Sequence, residues 1–185
     1  MKKSYNYFLR ILKSDLKRYG EGGGKLLLFN LNVRFILLFR LGSWLMNKGL
    51  IFKPLSFLLH CMYHHYQYKL GVILRLGTNI GSGFLISHAG GIVINSLAFI
   101  GDNFTIFQNC TIGSVYGPNG GVPTIGDNVV MCAGSIVIGK VKIGNNVMIG
   151  AGAVVTKDVP DNAVVVGVPA KIVSYEGARH VGYYI

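Results

Sequence analysis

The sequence predicts an α+β chain in which an N-terminal α-helical segment is followed by a triangular parallel β-helix with one protruding loop. Three observations predict it. Eleven apolar residues recur at a spacing of six, in the series Ile80 and Ile86, then Ile94, Ile100, Ile106 and Ile112, then Ile125, Met131, Val137, Ile143 and Ile149. Most are followed by Gly or a polar residue, as in IGSGFL, IGDNFT, IGDNVV, IGNNVM and IGAGAV. The 75 residues ahead of the repeats have a different composition, basic and rich in aliphatic and aromatic side chains. A period of six fits neither a helix, at about 3.6, nor an alternating strand, at about 2, and short fixed repeats signal a stacked solenoid.

The elements follow in chain order. Residues 4–18 read as an amphipathic helix carrying Tyr7, Phe8, Ile11 and Leu12, and GEGGGK at 20–25 reads as a glycine hinge. Two further helices are expected at about 26–47 and 54–70, the first stopped by Asn47-Lys48-Gly49 and the second opened by Pro54. The β-helix is expected from about 76 to 167, three hexads to a coil. In each hexad the apolar residue points inward and the residue four later fills the prism, namely Ala98, Cys110, Val129, Ser135, Val141, Val147 and Ala153. Gly or Asn takes the corners, where left-handed backbone is needed. Val155 extends the last series.

Two irregularities break the period. The step from Ile86 to Ile94 is eight, inserting residues around Ser87-His88-Ala89-Gly90-Gly91; the step from Ile112 to Ile125 is thirteen, making GSVYGPNGGVPT a protruding loop. Solenoid insertions project outward, often on the binding side. After Val155, Pro160, Pro169 and the run AKIV indicate a closing turn. The organisation is therefore a helical domain at 1–75, a β-helix at 76–173 and a tail at 174–185.

Charge divides at the same place. Residues 1–75 carry 13 Lys/Arg against Asp15 and Glu21, whereas residues 76–185 carry five Lys/Arg against five Asp/Glu, so the first segment holds the whole net charge of +11. Nucleic acid is disfavoured as a partner, because the cations are interleaved with aliphatic runs rather than gathered on a polar face. Within residues 1–75 no uncharged run reaches the ~18 residues that span a bilayer, the longest being 54–68. The helices are expected to bury against each other and against neighbouring subunits, with peripheral contact at the inner face of the cytoplasmic membrane as a second reading. The N-terminus lacks a secretory pattern, which points to the cytoplasm. Cys61, Cys110 and Cys132 read as reduced thiols in apolar surroundings.

His88 is the candidate catalytic residue. It lies in the first period break, where a side chain can leave the prism surface, and imidazole suits proton abstraction from a hydroxyl near neutral pH. The plain alternative is a surface histidine without a task. His60, His64 and His65 lack further ligands at metal-binding spacing, so packing or interface roles are preferred and no metal is expected.

Four motifs carry a resemblance: His88-Ala89-Gly90-Gly91-Ile92-Val93-Ile94, Gln108-Asn109-Cys110-Thr111-Ile112-Gly113, Ile149-Gly150-Ala151-Gly152-Ala153 and Gly167-Val168-Pro169-Ala170-Lys171-Ile172. In these the chain resembles the left-handed β-helix acyltransferases of the hexapeptide-repeat family, within the serine acetyltransferase-like branch. The resemblance covers about 76–173. It implies a left-handed β-helix, a homotrimer with active sites between neighbouring prisms, and acetyl-CoA as acetyl donor. It also implies that His88 is the general base in direct attack on the thioester, with backbone amides stabilising the oxyanion. Ala133, Gly134, Ala151 and Gly152 are the implied close-approach positions for the cofactor, and Lys157 and Lys171 the implied phosphate contacts. Tyr116 and Asn119, in the loop, are candidate acceptor contacts.

Two departures bear on the acceptor. Serine enzymes of the family carry an Asp before the base and another in the preceding coil, where this chain has Ser87 and approximately Ile73. Their loop carries a second His, where this one ends Val122-Pro123-Thr124. The expected acceptor is therefore a saccharide hydroxyl, on a capsular or other surface polysaccharide or its precursor, as in the short family members with such acceptors. Serine O-acetyl transfer is the alternative. A β-helical carbonic anhydrase is excluded, since the repeats hold only His88, with His180 in the tail. A membrane-docked trimeric scaffold is the non-enzymatic reading.

Overall fold

The hexad residues all point inward: every one from Ile80 to Val155 is at most 3% exposed. The seven filling residues four positions on are buried with them. A computed structural model describes residues 5–20, 29–46, 48–118 and 120–178. In it three parallel sheets form the faces of a prism. The first contains β1 (Val72–Leu74), β4 (Ile92–Ile94), β7 (Thr111–Gly113), β10 (Ile136–Ile138) and β13 (Val154–Val155). The second contains β2 (Asn79–Ile80), β5 (Phe99–Ile100), β8 (Thr124–Ile125) and β11 (Lys142–Ile143). The third contains β3 (Leu85–Ile86), β6 (Thr105–Ile106), β9 (Val130–Met131), β12 (Met148–Ile149) and β14 (Val164–Val166). Each strand pairs with the strand one coil away, as in Ile94 with Ile112 and Ile106 with Met131. Phe84 and Phe104 stack at 6.0 Å between centroids inside the first two coils.

The polar residues of one corner have a task. Asp102, Asp127, Asn145 and Asp161 stack along the corner between the second and third sheets. Each accepts, through Oδ1, a backbone N–H from the coil before: Ser82 at 2.6 Å, Asp102 at 2.7 Å, Asp127 at 2.8 Å and Asn145 at 2.7 Å. A Cβ on Gly81 would fall 2.3 Å from Asp102 Oδ1, so this stacking requires glycine. Asn103, Asn128, Asn146 and Asn162 turn the same corner at φ +55 to +60°, as expected of asparagine at such corners.

The helices are α1 (Tyr5–Lys17), α2 (Leu31–Leu45) and α3 (Lys53–Leu70), with a 3-10 turn at Leu50–Phe52. Asn30 Oδ1 accepts from Asn32 N at 3.0 Å and Val33 N at 3.2 Å and so caps α2 at Leu31; Phe29 just before it is also helical, and residues 26–28 of the expected helix lie outside the described residues. The glycine run at 21–25, like Asn47, lies outside the described residues. Gly71 ends α3 in a left-handed cap at φ +60°, and β1 follows at once. The β-helix therefore begins at Val72, ahead of the expected residue 76, with Leu74 inward six residues before Ile80.

The helices close one end of the prism. β1, β2 and β3 are edge strands whose outer backbone groups would otherwise be unpaired. On β1, Leu74 O accepts from Tyr63 Oη at 2.6 Å and from Gln67 Nε2 at 2.7 Å. On β2, Ile80 O accepts from Arg40 Nη1 at 2.7 Å. Beside β3, Phe84 N–H donates to Asp15 Oδ1 at 2.9 Å, and Gly83 O accepts from Arg18 Nη1 at 3.2 Å. At the other end, the closing segment contains a strand: β15 (Lys171–Ser174) turns back antiparallel on β14. Ala178 then buries completely, bonding Asn146 O at 2.9 Å. Of the described tail, Gly177 and Ala178 are buried, while Tyr175 and Glu176 are exposed. Cys110 is buried and Cys132 half-buried, but Cys61 is exposed on α3, against the apolar setting expected for it.

Candidate active site on one edge of the prism

The chain passes from the third sheet to the first through four successive corners, and these, with the turn between β14 and β15, build one edge of the prism. The first corner is 87–91, with His88. Below it stand Gln108-Asn109, then Ala133-Gly134, then Ala151-Gly152, and finally Gly167 to Ala170. Backbone bonds tie them in a column: Asn109 N to Gly90 O at 2.7 Å, Gly134 N to Gln108 O at 2.9 Å, and Gly152 N to Ala133 O at 2.9 Å. At roughly 4.8 Å per parallel strand, the column runs about 14 Å from His88 to Ala151.

His88 is exposed at the head of this column, and its ring rests against Phe107 at 5.8 Å between centroids. The backbone entering it is held from outside the β-helix. Tyr19 Oη accepts from Ile86 N at 3.0 Å and donates to Ile86 O at 3.2 Å. Asn32 Nδ2 donates to Ile86 O at 3.1 Å, with Ser87 O at 3.5 Å. Sequence reasoning misses Tyr19 and Asn32, because both come from the helical segment, more than fifty residues upstream.

The edge has room for a ligand. A Cβ on Gly152 would meet nothing within 4 Å, and one on Gly134 would meet only the Gly152 backbone, at 3.8 Å. Gly134 and Gly152 take φ +71° and +67°, so the smallest residue also suits the backbone there. Between His88 and this cradle, Gln108 Oε1 is buried with no hydrogen-bond partner, an acceptor awaiting a donor. The edge fits an elongated thioester donor: Ala133, Gly134, Ala151 and Gly152 would line its course, with Gln108 Oε1 to receive an amide N–H.

Other expected contacts divide. Lys171 follows Ala170, whose N–H bonds Val154 O at 2.8 Å, so it stands exposed at the far end of the same edge. Lys157 is exposed too, but at the corner where the chain leaves the first sheet for the second. Tyr116 is 92% exposed in a short hairpin closed by the Val115–Gly121 bridge, and it rises from that same far corner. Within one chain neither joins His88. Asn119 lies outside the described residues. Among the described residues no group of three His, Cys, Asp or Glu could hold a metal; His60 and His64 pair with each other on α3, Nε2 to Nε2 3.0 Å.

A prism of hexads with an exposed histidine heading a small-residue edge defines a β-helical transferase built on hexapeptide repeats. The family model for bacterial transferase hexapeptide, six repeats, matches residues 123–157. A serine acetyltransferase of Mycobacterium tuberculosis is 40% identical over 136 residues, 72% of this chain and 57% of the relative. The crystal structure of Neisseria gonorrhoeae serine acetyltransferase in complex with serine superimposes with a TM-score of 0.76 at 30% identity, covering 94% of this chain and 72% of that one. Serine acetyltransferase of Brucella abortus in complex with coenzyme A superimposes with a TM-score of 0.75 at 26% identity, covering 92% and 69%. The chain belongs to the hexapeptide-repeat transferase family, in its serine acetyltransferase-like branch, with that branch's left-handed β-helix. It spans little more than half the length of the curated relatives it matches.

The comparisons overturn one expectation. The relatives are serine acetyltransferases, not enzymes of capsular or other surface polysaccharides, so a saccharide acceptor is not supported. The case for a saccharide rests on missing acidic side chains at Ser87 and Ile73. That inventory counts side chains alone. Backbone carbonyls and N–H groups can hold an ammonium and a carboxylate as well, and Ile73, 60% exposed on the outer face of β1, is not in the His88 corner at all.

Proposed function

We propose that this chain transfers an acetyl group from acetyl-CoA to the hydroxyl of L-serine, with His88 as general base. The carrying observation is the exposed imidazole of His88 at the head of a small-residue edge, in a chain so similar to serine acetyltransferases. Acetyl-CoA supplies an activated acyl carbon as a thioester. His88 takes the proton from the serine hydroxyl as its oxygen forms the new ester bond. The same imidazolium then returns that proton to the sulfur as the carbon–sulfur bond breaks, leaving O-acetylserine and the free thiol of CoA. Backbone N–H groups near the corner meet the charge that develops on the carbonyl oxygen. No described residue of the same chain hydrogen-bonds the His88 ring, and Tyr116 and Lys157 stand on the next edge of the prism, across the first sheet. Both facts support a homotrimer in which that edge of a neighbouring prism completes each site.

The test is thiol release from acetyl-CoA by the purified chain with L-serine, with O-methylserine (which lacks the nucleophilic hydroxyl), and with His88→Ala. Release that requires L-serine and is lost in the variant supports the reading. Release indifferent to the acceptor, or none with serine, overturns it.

A further inference from the structure

The helical segment carries a surface that the transfer reaction does not use. α3 has three stripes. Leu59 and Tyr63 are buried and Tyr66 and Leu70 half-buried, and this stripe packs inward. The other two are open to solvent, yet they are apolar through the first turns. Ile51, Phe57 and Leu58 are 86%, 72% and 57% exposed, and Leu50, Leu55 and Met62 are 75%, 47% and 43% exposed beside them. Side chains of that size seldom stand exposed in a contiguous group without a partner.

Charge says what the partner is. No acidic residue occurs anywhere between Glu21 and Asp102. Lys48 and Lys53 flank the apolar group, both exposed, and Lys69 sits in the last turn of α3. A second copy laid on this face would oppose lysine to lysine with no carboxylate between them. An anionic lipid surface offers acyl chains to the apolar side chains and headgroup charge to the lysines together. No described helix is long and apolar enough to cross a membrane, so the segment would lie in the plane of the surface.

We propose that the 3-10 turn at 50–52 and the first half of α3 form a docking face for an anionic phospholipid bilayer. Docking there would leave the β-helix, and the His88 edge with it, in the aqueous phase. The inference stands apart from the acetyl-transfer reading.

The experiment is flotation of the full chain with vesicles of phosphatidylcholine alone and of phosphatidylcholine mixed with anionic phosphatidylglycerol. The parent chain is expected to float with the anionic vesicles and not with the neutral ones, and to be released by high salt. Phe57→Ser combined with Leu58→Ser should lower binding about tenfold while circular dichroism and sedimentation of the free protein stay unchanged. Lys48→Glu with Lys53→Glu, which leaves the apolar group intact, should lower it as well. Two results overturn the proposal: equal binding of parent and both variants, or loss of a larger assembly in the serine variant, which would make the face a contact between copies.

Discussion

Arg40 Nε meets Asp15 Oδ2 at 2.7 Å in the seam between α1, α2 and the first coil, with the two side chains only 8% and 0% exposed. The same pair grips the β-helix, Arg40 through Ile80 O and Gly81 O and Asp15 through Phe84 N–H. Burial pushes the Asp15 carboxyl above its ordinary range, although Arg40 and the backbone N–H groups pull the other way. The ion pair is thus a connector more than a source of net stability, since desolvation offsets much of the attraction. Arg40→Ala leaves a buried carboxylate without its cation and is expected to lower unfolding stability by about 3–5 kcal/mol in urea titration. Replacing both, with Asp15→Leu and Arg40→Met, should recover a large part of that loss.

Asn32 and Tyr19 hold the backbone immediately before His88 and touch no reacting atom. They are positioning residues. Asn32→Ala frees Ile86 O and Ser87 O on one side, letting the corner that aims the imidazole drift. On the acetyl-transfer reading, kcat should fall about tenfold with KM for acetyl-CoA little changed, because small misplacements at a reacting centre are expensive. Asn32→Gln, which keeps the amide, should recover more activity than Asn32→Leu. A merely structural role would instead lower the thermal midpoint and leave the kcat of the folded fraction intact.

His88→Ala removes an exposed side chain whose ring contact among the described residues is Phe107. Turnover should drop by about 10²–10⁴, the usual contribution of a positioned acid–base group. The thermal midpoint should not move. If activity survives, the base lies elsewhere.

The repeat alone makes most of the prism legible. A period of six places every inward residue, and Gly or Asn at the corners follows from left-handed backbone. What the period does not say is which corner a residue occupies. Ala133 and Ala151 are eighteen apart, one full coil, and share an edge; Lys157 is six beyond Ala151 and so stands one face on. Counting in eighteens rather than sixes separates Lys157 from the His88 edge. The helical cap is illegible for a different reason: Asp15, Tyr19, Asn32 and Arg40 work through single long-range bonds to backbone, which leave no periodic trace. The acceptor is not legible from Ser87 and Ile73, since the likeness to serine acetyltransferases extends over most of the chain without acidic side chains at those two positions.

Tyr63 supplies a test of the cap that needs no activity. Its ring stacks on Phe35 at 5.1 Å, it is 1% exposed, and its hydroxyl donates to Leu74 O. Burial raises its pKa far above the ordinary phenol value of 10.0, so the folded chain keeps this phenol neutral. The stabilisation is fully present below the unfolded value and is lost as pH rises from there toward the folded one. Above about pH 10 the unfolded state sheds the proton and the folded state does not, so stability should fall by about 1.4 kcal/mol per pH unit from this group. Tyr63→Phe should remove that share of the alkaline slope in urea titrations between about pH 10 and 11.5. At neutral pH the substitution should cost only about 0.5–1.5 kcal/mol, because Leu74 O retains its bond from Gln67 Nε2 at 2.7 Å. An unchanged alkaline slope would mean that the phenol reaches solvent and that the cap over β1 opens at high pH.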